Sequence, residues 1–145
     1  MGKLKIYLDN CCYNRPFDNQ AQMKIKLETE AKLHIQESVR EGKYQLCWSF
    51  MLDYENDKNP YEEKKNMIAP WKEIAIDFCS PSETILSNGK EIMKYGIKNE
   101  DALHIACAIE RDCEYFITTD KLLTNRNVEG IKVINPVDFI RERED

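Results

Sequence analysis

Four carboxylates, Asp9, Glu55, Asp101 and Asp120, stand where a sheet protein does chemistry. Asp9 directly follows the strand-like run Lys3–Leu8, and Asp120 directly follows a second, Tyr115–Thr119. Both fall at the carboxyl end of a strand, the edge along which open α/β sheets bind ligands. Glu55 lies shortly after a third such run, Tyr44–Phe50, and so belongs to the same rim. Asp101 sits in the first turn of a helix over about Glu100–Arg111, where the helix dipole favours an anion. From Ala102 to Ile109 only His104 is polar, so this helix is buried nearly all round. An acid opening a buried helix either caps it or faces a pocket.

Carboxylates gathered on one rim repel and raise one another's pKa unless a cation compensates. Oxygen donors without a Cys or His set suit Mg²⁺ or Mn²⁺. Such an ion on a water-filled rim suits phosphodiester hydrolysis, where it acidifies water and steadies the in-line transition state. Each acid alone has an ordinary reading: a turn residue for Asp9 or Asp120, a first-turn acid for Asp101, a solvated charge for Glu55 beside Asp53 and Asp57. Their convergence carries the inference.

The elements that must position them alternate. After the first strand, Asn10–Gln20 reads as a polar, turn-rich loop. Met23, Leu27, Ala31, Ile35 and Val39 then recur every fourth place, which predicts an amphipathic helix over about 21–41 that stops at Gly42. Tyr44–Phe50 is the second strand, and Met51–Asn66 reads as helical in parts with a break near Asn59-Pro60. Met67–Ser80 is interrupted by Pro70, and Ile74–Phe78 fits helix or strand. A helix over Ser82–Tyr95 ends at Gly96, and Asn99 is placed to cap the helix that carries Asp101. Tyr115–Thr119 is a strand, Lys121–Asn127 a short helix or turn, and Ile131–Ile134 a last strand. Strands alternating with helices give an α/β fold with a largely parallel sheet.

Composition bounds the function. The chain of 145 residues fits one domain, and 42% hydrophobic with 32% charged residues supports a core and excludes global disorder. With 21 Lys+Arg against 26 Asp+Glu the net charge is −5, which excludes coating nucleic acid by bulk positive charge but not an enzyme that touches it locally. No apolar run approaches the roughly 20 residues of a membrane span. The start shows no secretory signal, so a cytoplasmic location is expected. The six cysteines form no C-x-x-C pair and are expected to be reduced, with Cys47, Cys79 and Cys107 buried. The adjacent Cys11-Cys12 has no evident role.

Y-L-D-N at Tyr7–Asn10, S-F-M-L-D-Y-E at Ser49–Glu55, E-D-A-L-H-I-A-C-A-I at Glu100–Ile109 and Y-F-I-T-T-D at Tyr115–Asp120 together resemble the PIN domain. That family includes the VapC-like toxins of toxin–antitoxin pairs. The resemblance runs from Ile6 to Ile140. It implies a three-layer α/β/α sandwich and a metal-dependent ribonuclease. It also implies that Asp9, Glu55, Asp101 and Asp120 hold one or two Mg²⁺ or Mn²⁺ ions, with the Thr119 hydroxyl supporting the fourth acid. Many members carry Asn two residues after the first acid, where Cys11 stands here. Asn10 would point to the opposite face if the strand continued, and Asn14 is a candidate substitute.

His104 shares a helix face with Asp101 but reads as a packed, hydrogen-bonded core histidine, and His34 as a surface or boundary residue. Arg15, Lys98 and Lys121 flank the acids and are candidates for RNA phosphates, with solvated surface charge as the default for each. The implied partners are RNA and an antitoxin that covers the acidic groove. A homodimer through the Met23–Val39 stripe is an alternative use of a face that ordinarily packs on the core. The competing function is a non-catalytic PIN-like module for binding metal or RNA or for assembly, motivated by the altered D-N-C-C segment. A phosphotransferase with Asp9 as nucleophile is a weaker third reading, because the second Asp that haloacid-dehalogenase-type sites want two residues on is replaced by Cys11.

Overall fold

Five short strands carry the sheet: β1 (Lys5–Leu8), β2 (Gln45–Ser49), β3 (Asp77–Cys79), β4 (Tyr115–Ile117) and β5 (Lys132–Ile134). In this computed structural model, which describes residues 3–144, they pair in the order β3-β2-β1-β4-β5, every pair parallel. The strands read as near-continuous apolar runs because a parallel sheet is covered on both faces. Ile6, Tyr7 and Leu8 are accordingly fully buried, and the Tyr7 ring stacks on Phe116 of the neighbouring strand with centroids 5.2 Å apart.

Nine helices complete the described chain: α1 (Asn10–Asn14), α2 (Met23–Arg40), α3 (Phe50–Asp57), α4 (Glu62–Ile68), α5 (Pro70–Ile74), α6 (Glu83–Met93), α7 (Asn99–Glu110), α8 (Lys121–Thr124) and α9 (Pro136–Glu144). They flank the sheet, and the architecture is a three-layer α/β/α sandwich. The strand order runs outward from β1 to β3, returns to β4 beside β1, and ends at β5. Right-handed crossovers then place the first two connections on one face and the last two on the other. The order reverses between β1 and β4, so a crevice opens there beyond their carboxyl ends. Register sets its floor: Leu8 pairs with Ile117, and the Asp9 amide donates to the Ile117 carbonyl at 2.9 Å.

Helix α7 is the buried helix foreseen, with Ala102–Ala108 buried without interruption. It approaches α6 closely enough that a Cβ on Gly89 would stand 2.9 Å from Leu103 Cδ2. Beyond the C-terminal end of α2, Gly42 adopts φ +81°, a conformation that favours glycine and that ends the helix.

Several sequence expectations need correction. The chain leaves the first strand at Leu8, and Asn10–Gln20 is not a plain loop: it opens with α1 and a 3₁₀ turn over Arg15–Phe17. In α2 only Ala31, Ile35 and Val39 of the apolar stripe are buried, whereas Met23 and Leu27 are exposed. A strict four-residue spacing drifts around a helix of 3.6 residues per turn, so one stripe cannot stay on the core. The ambiguous Ile74–Phe78 is divided, with α5 ending at Ile74 and β3 beginning at Asp77. Asn99 is the first helical residue of α7, and the cap position falls on Lys98 without a side-chain bond. Helix α9 was unforeseen. Among the described residues no helix is long and apolar enough to cross a membrane.

Candidate metal centre

Asp9 does two local jobs. Its extended backbone makes it the N-cap of α1, where Oδ1 accepts the Asn10 amide at 2.8 Å. Its Oδ2 accepts the Thr118 hydroxyl at 2.8 Å, and the residue is only 6% exposed. Thr118 is the first residue past β4, and register alone brings it beside Asp9. Its Oγ1 also accepts the Asp120 amide at 3.1 Å, tying two acids through one hydroxyl.

Asp120 caps α8, with Oδ1 accepting the Leu122 amide at 2.9 Å. Asp101 projects from the first turn of α7, and Glu55 from α3, whose own cap is Ser49. All four acids line a single cleft at the crevice between β1 and β4. Asn10 and Asn14, one helical turn apart on α1, line it too, and Lys98 contributes a cation. Thr119 is buried but does not line this cleft; its side chain borders a separate hollow with Lys24 and Lys121. The hydroxyl that meets the acids is therefore Thr118, one residue earlier than expected.

His104 is both a core histidine and a neighbour of the site. It is wholly buried, with Nδ1 2.6 Å from the Tyr7 hydroxyl and Nε2 hydrogen-bonded to Glu55 Oε1. Ser49 Oγ extends the chain, 2.6 Å from the Tyr7 hydroxyl. Because a carboxylate only accepts, Nε2 carries the proton toward Glu55 in either charge state. Ligand atoms of Asp9, Glu55 and His104 all lie within 4.8 Å of one another. With both ring nitrogens engaged, His104 serves as a holder for Glu55.

The remaining flanking residues divide. Asn10 does not point away: the helix turn brings its Nδ2 to 3.4 Å from Glu55 Oε2. Cys11 Sγ reaches Thr118 Oγ1 at 3.3 Å and the Thr119 amide at 3.3 Å, so this thiol packs under the Asp9–Thr118 contact. Arg15 is committed to Glu28 and Asp18, each at 2.9 Å, and His34 lies at the surface against Glu144.

Electrostatics mark this cluster as short of positive charge. Burial pushes the Asp101 carboxyl up to about 6, and the carboxylates of Asp9 and Asp120 add to it while Lys98 opposes. Burial also raises Asp9, with a further push from Glu55 and opposition from His104 and Thr118. Burial alone would lower His104, but its bond to Glu55 and the charges of Asp9, Glu55 and Asp101 raise it. Asn10 Oδ1 is buried without a hydrogen-bond partner among the described residues. An orphaned carbonyl beside hard oxygen donors fits a divalent cation.

Asp101 gives a direct check. In the metal-free protein its carboxyl is expected to titrate near pH 6 by ¹³C NMR, and Asp9→Asn should move that midpoint down. The folded state holds this proton more tightly than an ordinary Asp of pKa 3.8. The contribution to stability is thus full at low pH and is lost as pH rises through that window.

Comparison of the fold with solved structures decides the architecture. The crystal structure of VapBC2 from Rickettsia felis bound to a DNA fragment from its promoter matches with a TM-score of 0.56, covering 91% of this chain and 98% of the matched chain. The two chains share a fold. Sequence identity is 12%, so the likeness reaches no further than architecture. No family model and no curated protein matches the sequence.

Proposed function

We propose that the protein is a Mg²⁺- or Mn²⁺-dependent endoribonuclease of the PIN kind, acting as the toxin of a toxin–antitoxin pair in the cytoplasm. One observation carries this reading: Asp9, Glu55, Asp101 and Asp120, distant in sequence, meet in one cleft at the point where strand order reverses. A bound divalent cation would supply Lewis-acid stabilisation of charge during in-line attack on a phosphodiester.

The chain's own groups do the rest. Asp9, Glu55, Asp101 and Asp120 would hold the cation, with the unpaired Asn10 Oδ1 beside them in the cleft. Thr118 fixes the Asp9 carboxylate, while His104 and Asn10 fix the two oxygens of Glu55. Lys98, exposed beside the cleft, meets a phosphate of the incoming RNA. An antitoxin would compete for the same acidic cleft by offering a basic side chain, and a homodimer would bring two clefts to one RNA.

The engagement of both Glu55 oxygens favours a second reading, a PIN-like module that binds metal or RNA without cutting. Incubating a mixed-sequence RNA with the protein and Mn²⁺ separates the two. The nuclease reading expects EDTA-sensitive cleavage giving 5′-phosphate ends, because water and not the 2′-hydroxyl attacks. Retention of RNA without cleavage selects the module.

A further inference from the structure

A second cavity, separate from the acidic cleft, is built around a buried lysine. Lys32 on α2 is 5% exposed, and its ammonium lies 5.9 Å from the centroid of the Tyr13 ring. Among the described residues no carboxylate pairs with it; Glu37 at the rim is exposed and makes no ion pair with it. Burial lowers this amine to about 8, since no anion offsets the loss of water. A buried cation without a partner is costly, and folded proteins ordinarily pair or exclude it.

Two other polar groups of residues lining the cavity are buried and unpaired. Tyr13 is 1% exposed and Gln36 4% exposed, yet the Tyr13 hydroxyl and Gln36 Nε2 are buried with no hydrogen-bond partner among the described residues. Buried polar atoms are rarely left unsatisfied, so two of them beside a lysine without a carboxylate partner imply a missing occupant. Ile68, Met67 and Trp71 supply the opposite, apolar wall, and the Arg40 guanidinium stacks on Trp71 with its carbon 4.8 Å from the ring centroid.

We infer that this cavity, bounded by Lys32, Tyr13 and Gln36 on one side and by Ile68, Met67 and Trp71 on the other, binds a small organic carboxylate with an apolar body. A carboxylate accepts from the ammonium, the amide and the hydroxyl together, and it cancels the charge of Lys32. The apolar body fills the wall formed by α4 and α5. Inorganic anions leave that wall wet, and neutral or cationic molecules leave Lys32 unpaired. Tyr13 shares the five-residue α1 with Asn10 and Asn14, so an occupant is in a position to shift the acidic cleft.

Phenylacetate, 2-phenylethanol and phenethylamine, added separately to the full-length protein, form the test, followed through the amide resonances of Tyr13 and Gln36. Saturable binding of phenylacetate is expected at about millimolar concentration, with the alcohol roughly tenfold weaker and the amine weaker still. Lys32→Met should erase that preference while leaving the protein folded, because it keeps the side chain's length and removes an unpaired charge. Tyr13→Phe, which removes an orphaned hydroxyl, should weaken phenylacetate severalfold and supplies an independent reading. The inference is overturned if none of the three binds, if the alcohol matches the acid, or if both variants bind phenylacetate as the wild type does. Preferential capture of a short acidic peptide over phenylacetate would also overturn it, by assigning the cavity to a protein partner.

Discussion

Asp9→Asn and Asp101→Asn are each expected to reduce Mn²⁺-dependent RNA cleavage by about 10³-fold or more while leaving the fold intact. The magnitude follows from losing several kcal/mol of metal-borne charge stabilisation, where each 1.4 kcal/mol is about tenfold in rate. The fold survives for local reasons. Asn caps a helix as well as Asp does, so its one amide oxygen keeps the bond from the Asn10 amide, while its Nδ2, standing where Oδ2 was, donates to the Thr118 hydroxyl, which turns its own proton toward Cys11 Sγ. Asp101 makes no capping bond at all and suffers from its neighbours' charge, so neutralising it should raise stability if anything. Circular dichroism and a denaturation curve check the fold beside the rate. Full activity in both variants would remove the acids from the chemistry.

His104→Ala is expected to cost about 3–5 kcal/mol of stability, read from urea denaturation. A large-to-small change at a wholly buried site loses transfer energy and leaves a cavity. The Tyr7 hydroxyl, itself buried, also loses a partner, at about 1–3 kcal/mol for a stranded polar group. A merely structural histidine would affect nothing more. Because His104 also holds Glu55, the variant's residual folded fraction should cleave RNA more slowly per molecule, and Tyr7→Phe should recover part of the stability without recovering the rate. Equal cleavage per folded molecule would confine His104 to packing.

Strand ends were legible in the sequence because the polarity change is abrupt: Leu8 to Asp9 and Thr119 to Asp120 mark the rim within a few residues of the true strand ends. The buried helix with Asp101 at its head was equally plain, since one polar residue in eight leaves no face for water. What could not be read was register. Nothing in the sequence says that Ile117 pairs with Leu8, and that pairing is what selects Thr118 rather than Thr119 for Asp9. The same gap hid the meeting of His104 with Glu55, which depends on α3 packing against α7. Two local signals were present but outweighed. Asp9 terminates a strand and caps a helix at once, and α1 is too short to show a period. Asn135-Pro136 is a helix-start pair, with Asn135 Oδ1 accepting the Val137 amide at 2.8 Å, and it foretells α9.

The excess of acid looks different in this light. Under the proposed function a net charge of −5 would not keep RNA from the cleft, because two divalent cations bound by its acids would bring about +4.

Calorimetric titration of Mn²⁺ into the wild-type protein and into Asp120→Ala at neutral pH tests that cation site most directly. Saturable binding is expected in the wild type, displaced by Mg²⁺, and weaker by about 10–100-fold once a carboxylate is removed. Indistinguishable titrations of the two proteins, or no saturable binding in the wild type, would contradict it.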